Sequence, residues 1–593
     1  MTILLVSLET WSKEVMGCRV LDNTKPFAKQ MVYKNTVYEL RDELDLQNSF
    51  VTIPEGCVLR FLGGKIINGT ISMNNCGVEG NALFECEVEG CPSNENIYTK
   101  WFPKYKNKLF VLFRNFCSCW YNDKIQVVKR TGKRIIHVEK GIYTVTEGIE
   151  LRYEEDLEID FGGSTLIDNI DTYDELRHRA SPVIAMRESN RIKIGNCHYI
   201  LGSKKGIKNT SGVFIEIGGP HVTTVNPNFN IKIENIVGDT SSKTDSPFIP
   251  FNFLGNCYNI EVGNISWKGT VSSLINLESA LQPMKGKDIE SRFGIKSWPY
   301  PDYYGLMPYN VTIHDIDGKE RPYSKYGYIR TAGAYNVNIC NVNCQNVREV
   351  IELYQGDAGN VRSAMNITIS NVSSLWGEDM KLPNYAVSVN VTRKNPQSEE
   401  DNMINSDIAM ITFTDCDFHD NAKGSPGDHY VVRIHGNNGM TVFRNCRISN
   451  TQRAVRIADI INTSLFKHIT KFESCLFSGC IVGVESLNSI VSLRDCIFNS
   501  DEKQIGQIRY RIAGIPKESL MNLSAMLNVE NCLFSSLSDI SKPYVDVNSD
   551  VPMPNLHWIN ISRNIFNNTK IVPALKALNL SLNEEHNIGN VIK

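Results

Sequence analysis

The sequence predicts an all-β solenoid, a parallel β-helix. Three observations carry that prediction: a recurring motif, strand periodicity within each copy, and an N-terminal β-rich pattern that occurs twice. The motif is clear in "TVFRNCRISN" from Thr441 and returns as "IKIENIVGD" from Ile231, "VNICNVNCQ" from Val337, "ITFTDCDFH" from Ile411 and "LNVENCLFSS" from Leu527. Each copy alternates apolar and polar residues, then places a small polar residue, then Val, Ile or Cys.

Aligned on that small polar residue, the markers are Asn196, Asn235, Asn264, Asp315, Asn341, Asn371, Asp415, Asn445, Ser474, Asp495, Asn531 and Asn564. Successive gaps run from 21 to 51 residues, so the unit is constant while the material between copies varies. A solenoid absorbs such insertions in outside loops and lets one core grow lengthwise along 593 residues. Alternation such as Val442 against Arg444 has the period of a strand, which removes helical solenoids. Asn suits a bend because it tolerates the left-handed region and its amide bonds to the coils above and below. The residue after the marker (Ile236, Ile265, Val342, Cys416, Cys446, Cys475, Cys496, Cys532) is expected to point inward. The 17 cysteines therefore read mainly as small buried hydrophobes with reduced thiols, and Cys117 with Cys119 is an isolated Cys-x-Cys. Asp315, Asp415 and Asp495 take the Asn position and read as structural.

Nearer the N-terminus, "FVTIPEGCVLRFLGGKIINGTI" (50–71) is echoed by "RIIHVEKGIYTVTEGIELRYEEDLEIDFGGSTLI" (134–167). The expected organisation is an N-terminal β-rich module at 1–98, a connector at 99–132 with a helix around "YNDKIQVVKR", a β-helix at 133–568, and a C-terminal cap or tail at 569–593.

Apolar residues make up 42%, charged residues 21%, and the net charge is −3, a balance without the basic footprint of a nucleic-acid partner. The start, "MTILLVSLETWSKEV", has no basic region and its apolar run stops at Glu9, so no signal peptide is expected. No stretch approaches the ~18 apolar residues of a membrane span. Synthesis in the cytoplasm follows as an expectation. Phosphate-binding loops, dinucleotide fingerprints and histidine-bearing zinc signatures are missing, so neither cofactor nor metal is expected.

The Gly-turn, "GIYTV" and "LEIDFGGSTLI" pattern, followed by Asn-marked coils, resembles the pectate-lyase-like right-handed β-helix proteins and, among them, bacteriophage tailspikes. "NTVYELRDELDLQNSFVTIPEGCVLRFLGGKIINGTI" (35–71) resembles the leading module of phage-borne β-helix proteins. The resemblance implies a homotrimer in a virion tail that binds, and often cleaves, bacterial surface polysaccharide. Its N-terminal module would meet other tail or baseplate proteins, and exit by host lysis would need no signal peptide. The sequence carries neither the Asp-rich calcium signature of pectate lyases nor the paired Asp of polygalacturonases. A glycan-binding adhesin or structural tail component and a bacterial polysaccharide lyase or hydrolase are the alternatives, the last argued against by the absent signal peptide; a cytoplasmic location is the alternative to the virion tail.

A second strand in each repeat yields the candidate site. In "VIELYQGD" Ile351 and Leu353 point inward and Glu352 and Tyr354 outward. The same alternation puts Asn276, Glu278, Arg330, Ser388, Asn390, Arg433, His435, Arg456 and Glu485 outward. Glycoside hydrolysis needs two carboxylates, ~5 Å apart for retention or ~6.5–9.5 Å for inversion. Glu352 with Glu278 or Asp357 are the catalytic candidates, and Glu278, Arg330 and Glu352 are expected on successive coils. Elimination would instead use Arg433, His435 or Arg456 as base and charge neutraliser. Arg330, Tyr354, Arg433, His435, Arg456 and Glu485 are the candidate glycan-binding residues, because guanidinium pairs bidentately with anionic sugars. Two long insertions add Trp298, Tyr303 and Trp376, aromatics suited to stacking on sugar rings.

Overall fold

Alternating apolar residues meeting at a left-handed corner dictate the architecture of the computed structural model. The structure describes residues 17–73, 76–121, 124–128, 132–171, 173–174, 179–202, 212–218, 227–241, 248–255, 257–278, 308–321, 326–354, 366–378, 380, 385–391, 409–421, 429–436, 439–458, 467–500, 507–513, 525–536, 544–549, 558–567, 574–576 and 581–585. It divides into two compact units, one of residues 1–144, 149–165 and 192–196, the other of 145–148, 166–191 and 197–593.

The first unit is β-rich. Thr36–Leu40, Val58–Phe61 and Gly77–Gly80 stack in parallel with Gly17–Val20, while Lys65–Ser72 pairs with Glu43–Asp45, Phe50–Thr52 and Phe84–Glu89. Phe61, Phe84, Phe102 and Phe116 pack ring on ring inside it. The expected helix around "YNDKIQVVKR" is displaced: Lys124–Gln126 is a strand, and the helix is Leu109–Phe116. Its sequence, LFVLFRNF, buries Leu109, Phe110, Leu112, Phe113 and Phe116. Their i, i+3 and i+4 spacing makes one apolar stripe, a signal hidden by the continuous hydrophobicity of the segment.

The second unit is a right-handed parallel β-helix. One wall is a parallel sheet of short strands, among them Ile215–Gly218, Phe251–Leu254, Ile275–Glu278, Ile329–Ala332, Ile351–Tyr354, Val387–Val391, Val432–Gly436, Arg453–Ile457, Val482–Leu487 and Ile508–Ile512. A second wall carries the motif: long bent strands such as Asn228–Thr240, Cys257–Gly269, Tyr309–Arg321, Tyr335–Val347 and Asn366–Trp376 pair in parallel. Later copies break at the marker into two shorter strands, as Met410–Thr414 and Asp417–Asp420 do.

Eleven markers, from Asn196 to Asn531, have φ between 49° and 60°. The left-handed region costs most residues about 1–2 kcal/mol, and Asn and Asp least. The side chains also link the coils: the Asn341 amide donates to Asp315 Oδ1 (3.0 Å) and the Asn371 amide to Asn341 Oδ1 (2.9 Å), while Asn445 and Asn531 donate to Asp415 and Asp495. These Asp residues are rungs of a ladder. At the last copy the expectation shifts by one residue: Arg563 takes the left-handed position (φ 58°), and Asn564 is buried, accepting from Cys532 N (2.8 Å) and donating to Val529 O (3.0 Å). A second ladder precedes the first by five residues, with Asn259 donating to Asn230 (3.0 Å), Asn310 to Asn259 (3.1 Å) and Asn366 to Asn336 (3.3 Å).

Residues after the marker face the core as expected, from Ile236 to Cys532. Phenylalanines fill the columns beside them: Phe413, Phe443 and Phe472 stack at 4.5 and 5.1 Å, and Phe477, Phe498 and Phe534 at 4.6 and 4.8 Å. All 17 cysteines are free thiols.

Asn371→Ala removes a rung and leaves a Cβ-bearing residue at φ 52°. It should lower unfolding free energy by about 1–2 kcal/mol in urea titrations, and Asn371→Gly by less, because glycine relieves the backbone term.

Candidate functional site

Strand register fixes which outward residues of the short-strand wall stack on one another. From Glu216 one column climbs through Asn252, Asn276 and Arg330 to Glu352. Above it come Ser388, Arg433, Arg456, Glu485 and Arg509. Two residues along each strand, a second column runs Glu278, Ala332, Tyr354, Asn390 and His435.

Glu278, Arg330 and Glu352 lie on successive coils as expected, with Glu278 in the second column and Arg330 and Glu352 in the first. Asn276 stacks on Arg330, and Glu278 reaches it diagonally. Neither Asn276 nor Arg330 is exposed as alternation suggested: they are 1% and 5% accessible, because the lower column is covered. Buried polar groups need partners, and here they form a chain. Arg187 pairs with Glu216, Asn252 donates to Glu216 (3.4 Å), Asn276 donates to Asn252 (2.8 Å) and to Glu278 Oε2 (3.0 Å), and Arg330 Nη1 donates to Asn276 Oδ1 (3.3 Å).

Arg330 ends the chain between two carboxylates, with Nη1 3.5 Å from Glu278 Oε2 and Nε 3.4 Å from Glu352 Oε2. Since one guanidinium touches both, the two oxygens lie no more than about 9 Å apart, a bound that admits the carboxyl spacing of either retaining or inverting glycosidases. The guanidinium carbon also sits 4.4 Å from the Tyr326 ring centroid and 5.9 Å from that of Tyr354. Gly327 N donates to Glu352 Oε2 at 2.7 Å. A Cβ on Gly327 would come within 2.3 Å of Glu352 Cβ, so only glycine lets this carboxylate lie so close to the backbone.

A third carboxyl joins them. Glu349 precedes the strand in a left-handed conformation (φ 49°), with its carbonyl accepting from Tyr328 N at 2.7 Å. Burial, then the neighbouring Glu352 carboxylate, push its carboxyl up to about 8 against the pull of Arg321, Arg348 and Arg433. It therefore holds a proton at neutral pH. The period-2 rule had no means of finding it, because the left-handed φ breaks alternation where the strand begins.

On the next coils Arg433 donates through Nε to His435 Nε2 and lies 3.4 Å through Nη1 from Tyr385 Oη. Higher still, Tyr430 Oη donates to Glu485 Oε2 (2.9 Å) and accepts from Arg453 Nη1 (2.6 Å). Arg453 and Arg509 flank Glu485 at 3.7 and 3.8 Å. Burial and the Glu485 carboxylate raise the Tyr430 hydroxyl above its ordinary value, so it stays protonated.

The wall thus gathers Glu278, Arg330, Glu352 and Tyr354 into one cluster, Arg433 with His435 into a second, and Arg456 with Glu485 into a third. Trp376 is corrected: its side chain is buried, its indole donates to Val347 O (2.8 Å), and it packs 5.4 Å from His429, so it offers no ring to a sugar. Insertion length misled here, because Trp376 ends a long strand of the core. Asp357, Trp298 and Tyr303 lie outside the described residues. Among the described residues no group of His, Cys, Asp and Glu could hold a metal ion.

No family model matches the chain, and no curated protein matches it. Among solved structures it is similar, at 10% identity, to a mutant tailspike protein of E. coli bacteriophage HK620 in complex with pentasaccharide, covering 88% of this chain and 74% of that one with a TM-score of 0.37. It is also similar, at 11% identity, to a hyperthermoactive exopolygalacturonase from Thermotoga maritima, covering 74% of this chain and 84% of that one with a TM-score of 0.27.

Arg330→Ala leaves Glu278 and Glu352 without their shared cation and Asn276 without a donor. It should cost about 1–3 kcal/mol in urea unfolding, more than Arg456→Ala, whose side chain is only half-buried.

Proposed function

We propose that the chain is a tailspike-like protein that binds bacterial surface polysaccharide along the short-strand wall and cuts it by inverting hydrolysis. The observation that carries this reading is the convergence of Glu278, Glu349 and Glu352 on one wall, two of them on Arg330, with one carboxyl protonated at neutral pH. Carboxyl groups pushed to different protonation states are the usual mark of an acid and a base.

In this reading Glu349 holds the catalytic proton at neutral pH, beside Glu352. The proton passes to the departing glycosidic oxygen, so the bond to the anomeric carbon breaks with a neutral leaving group. Glu278 accepts a proton from water as that water adds to the anomeric carbon from the other face. Arg330 keeps the carboxylates apart and oriented, and its burial makes it a positioning residue. Tyr354 borders the sugar from the neighbouring column.

The virion-tail setting rests on the sequence resemblance, as do assembly as a homotrimer and the attachment role of residues 1–98 toward other tail or baseplate proteins; residues 569–593, where the repeat pattern has ceased, serve as a cap or tail. A second reading, glycan binding without cleavage, is favoured by the ion pairs that already engage Glu278 and Glu352.

Incubation with purified capsular polysaccharides, following polymer size and new reducing ends, separates the two. Hydrolysis should shorten one polymer without forming unsaturated uronates, and Glu352→Gln should slow this at least ~100-fold. Retention of a polymer that is never shortened would instead establish the adhesin. Activity should fall as pH rises through about 8. Glu349→Gln removes that carboxyl and should abolish the fall near pH 8.

A further inference from the structure

We infer that the coils above Glu352 form a subsite, centred on Arg456, for an anionic substituent of the glycan, a carboxylate or a phosphate. It would lie two to three sugar rings from the bond that is cut. The inference rests on the polysaccharide reading above and adds the class of polymer.

Charge is the first argument. Glu485 alone faces three guanidinium groups: Arg453 at 3.7 Å, Arg509 at 3.8 Å, and Arg456 stacked beside it on the neighbouring strand. Its oxygens are occupied by Arg453, Arg509 and the Tyr430 hydroxyl. Arg456 has the Tyr430 ring, 5.3 Å from its guanidinium carbon, and no carboxylate at ion-pair distance among the described residues. Arg433 stacks directly beneath Arg456. Like charges opposite each other in a ladder destabilise a sheet, and a bound anion would turn that repulsion into a two-armed clamp.

Preorganisation is the second. Tyr430 is buried, anchored at Glu485, and has Arg453 and Arg456 each 5.3 Å from its ring. A guanidinium held by a ring has lost little freedom when its fork meets two anionic oxygens. Neighbouring coils are ~4.8 Å apart, which puts Arg433 about 10 Å and Arg456 about 14 Å from Glu352 along the axis. A glycan crossing the strands meets about one coil per ring, which sets the spacing between anion and scissile bond. A neutral glycan would cover these cations and return no charge-assisted bond, so the subsite also discriminates against it.

The test uses the full-length Glu352→Gln protein, so that binding is read apart from cleavage. It is immobilised and exposed to purified bacterial polysaccharides, some neutral, some bearing uronate and some bearing phosphate. The expected result is retention of acidic polymers only. Arg456→Ala should weaken retention about tenfold, and Arg456→Lys by less. Arg509→Gln, on the far side of Glu485, checks that the loss does not come from a collapsed coil, and circular dichroism checks the fold. Carbodiimide reduction of the retained polymer's carboxyls abolishes binding if the anion is a uronate and spares it if the anion is a phosphate. Equal retention of a neutral polymer, retention of no acidic polymer, or undiminished binding by a folded Arg456→Ala protein would overturn the inference. Absence of cleavage by the unsubstituted protein would overturn only the hydrolytic reading.

Discussion

The second unit depends on one constraint, the fixed register that neighbouring coils hold at the left-handed corner. Asn341 and Asn371 each turn the chain at a positive φ and donate to the same position one coil below. A slip of one residue would break every rung and turn the apolar face outward. Because the corner prevents it, residues far apart in sequence return to the same lateral position on the other wall. Arg330 and Glu352, 22 positions apart, become neighbours that way. The site is therefore a by-product of repetition: any outward position repeated from coil to coil is a column on which charges can be set at a constant spacing.

Setting charges so close has consequences that run down the wall. Arg330 is held from below by amides and an ion pair reaching to Arg187, so its guanidinium is fixed before any ligand arrives. Fixed dipoles in a covered place act more strongly than the same groups in water. Glu349 shows the result, since burial and a neighbouring carboxylate keep it protonated where an exposed glutamate would be ionised.

Repetition explains what was legible in the sequence. The marker residues, the inward cysteines and the outward faces of Glu352, Arg433, Arg456 and Glu485 follow a period of two within the strand and a repeat between coils, and both survive as letters. The second Asn ladder was legible too, as Asn at a fixed five residues before Asn235, Asn264, Asp315, Asn341 and Asn371. Exposure was not legible: alternation says which way Asn276 and Arg330 point, but not that both are buried. Lateral offset was not legible either, so alternation alone did not say that Asn276, and not Glu278, stacks on Arg330. Glu349 escaped because it sits at the one residue where the backbone leaves the strand pattern, and Trp376 misled because aromatic content alone does not separate a loop from a buried strand end.

The inward cysteines carry a consequence for durability. Cys446, Cys475, Cys496 and Cys532 each donate to a backbone carbonyl of the preceding coil. At Cys446 the hydrogen bond with Cys416, which lowers the thiol, is outweighed by the bond with Cys475 and by burial, leaving it at about 12; Cys475 reaches about 12 between Cys446 and Cys496. At neutral pH only about one such thiol in 10⁵ is then the reactive thiolate. The thiolate is the form that attacks peroxide and free disulfides, so a column of unpaired sulfurs that would be a liability on a surface becomes chemically inert here. This buried column needs no disulfide pairing to persist in oxidising surroundings, and its redox lifetime is set by how rarely the coils open.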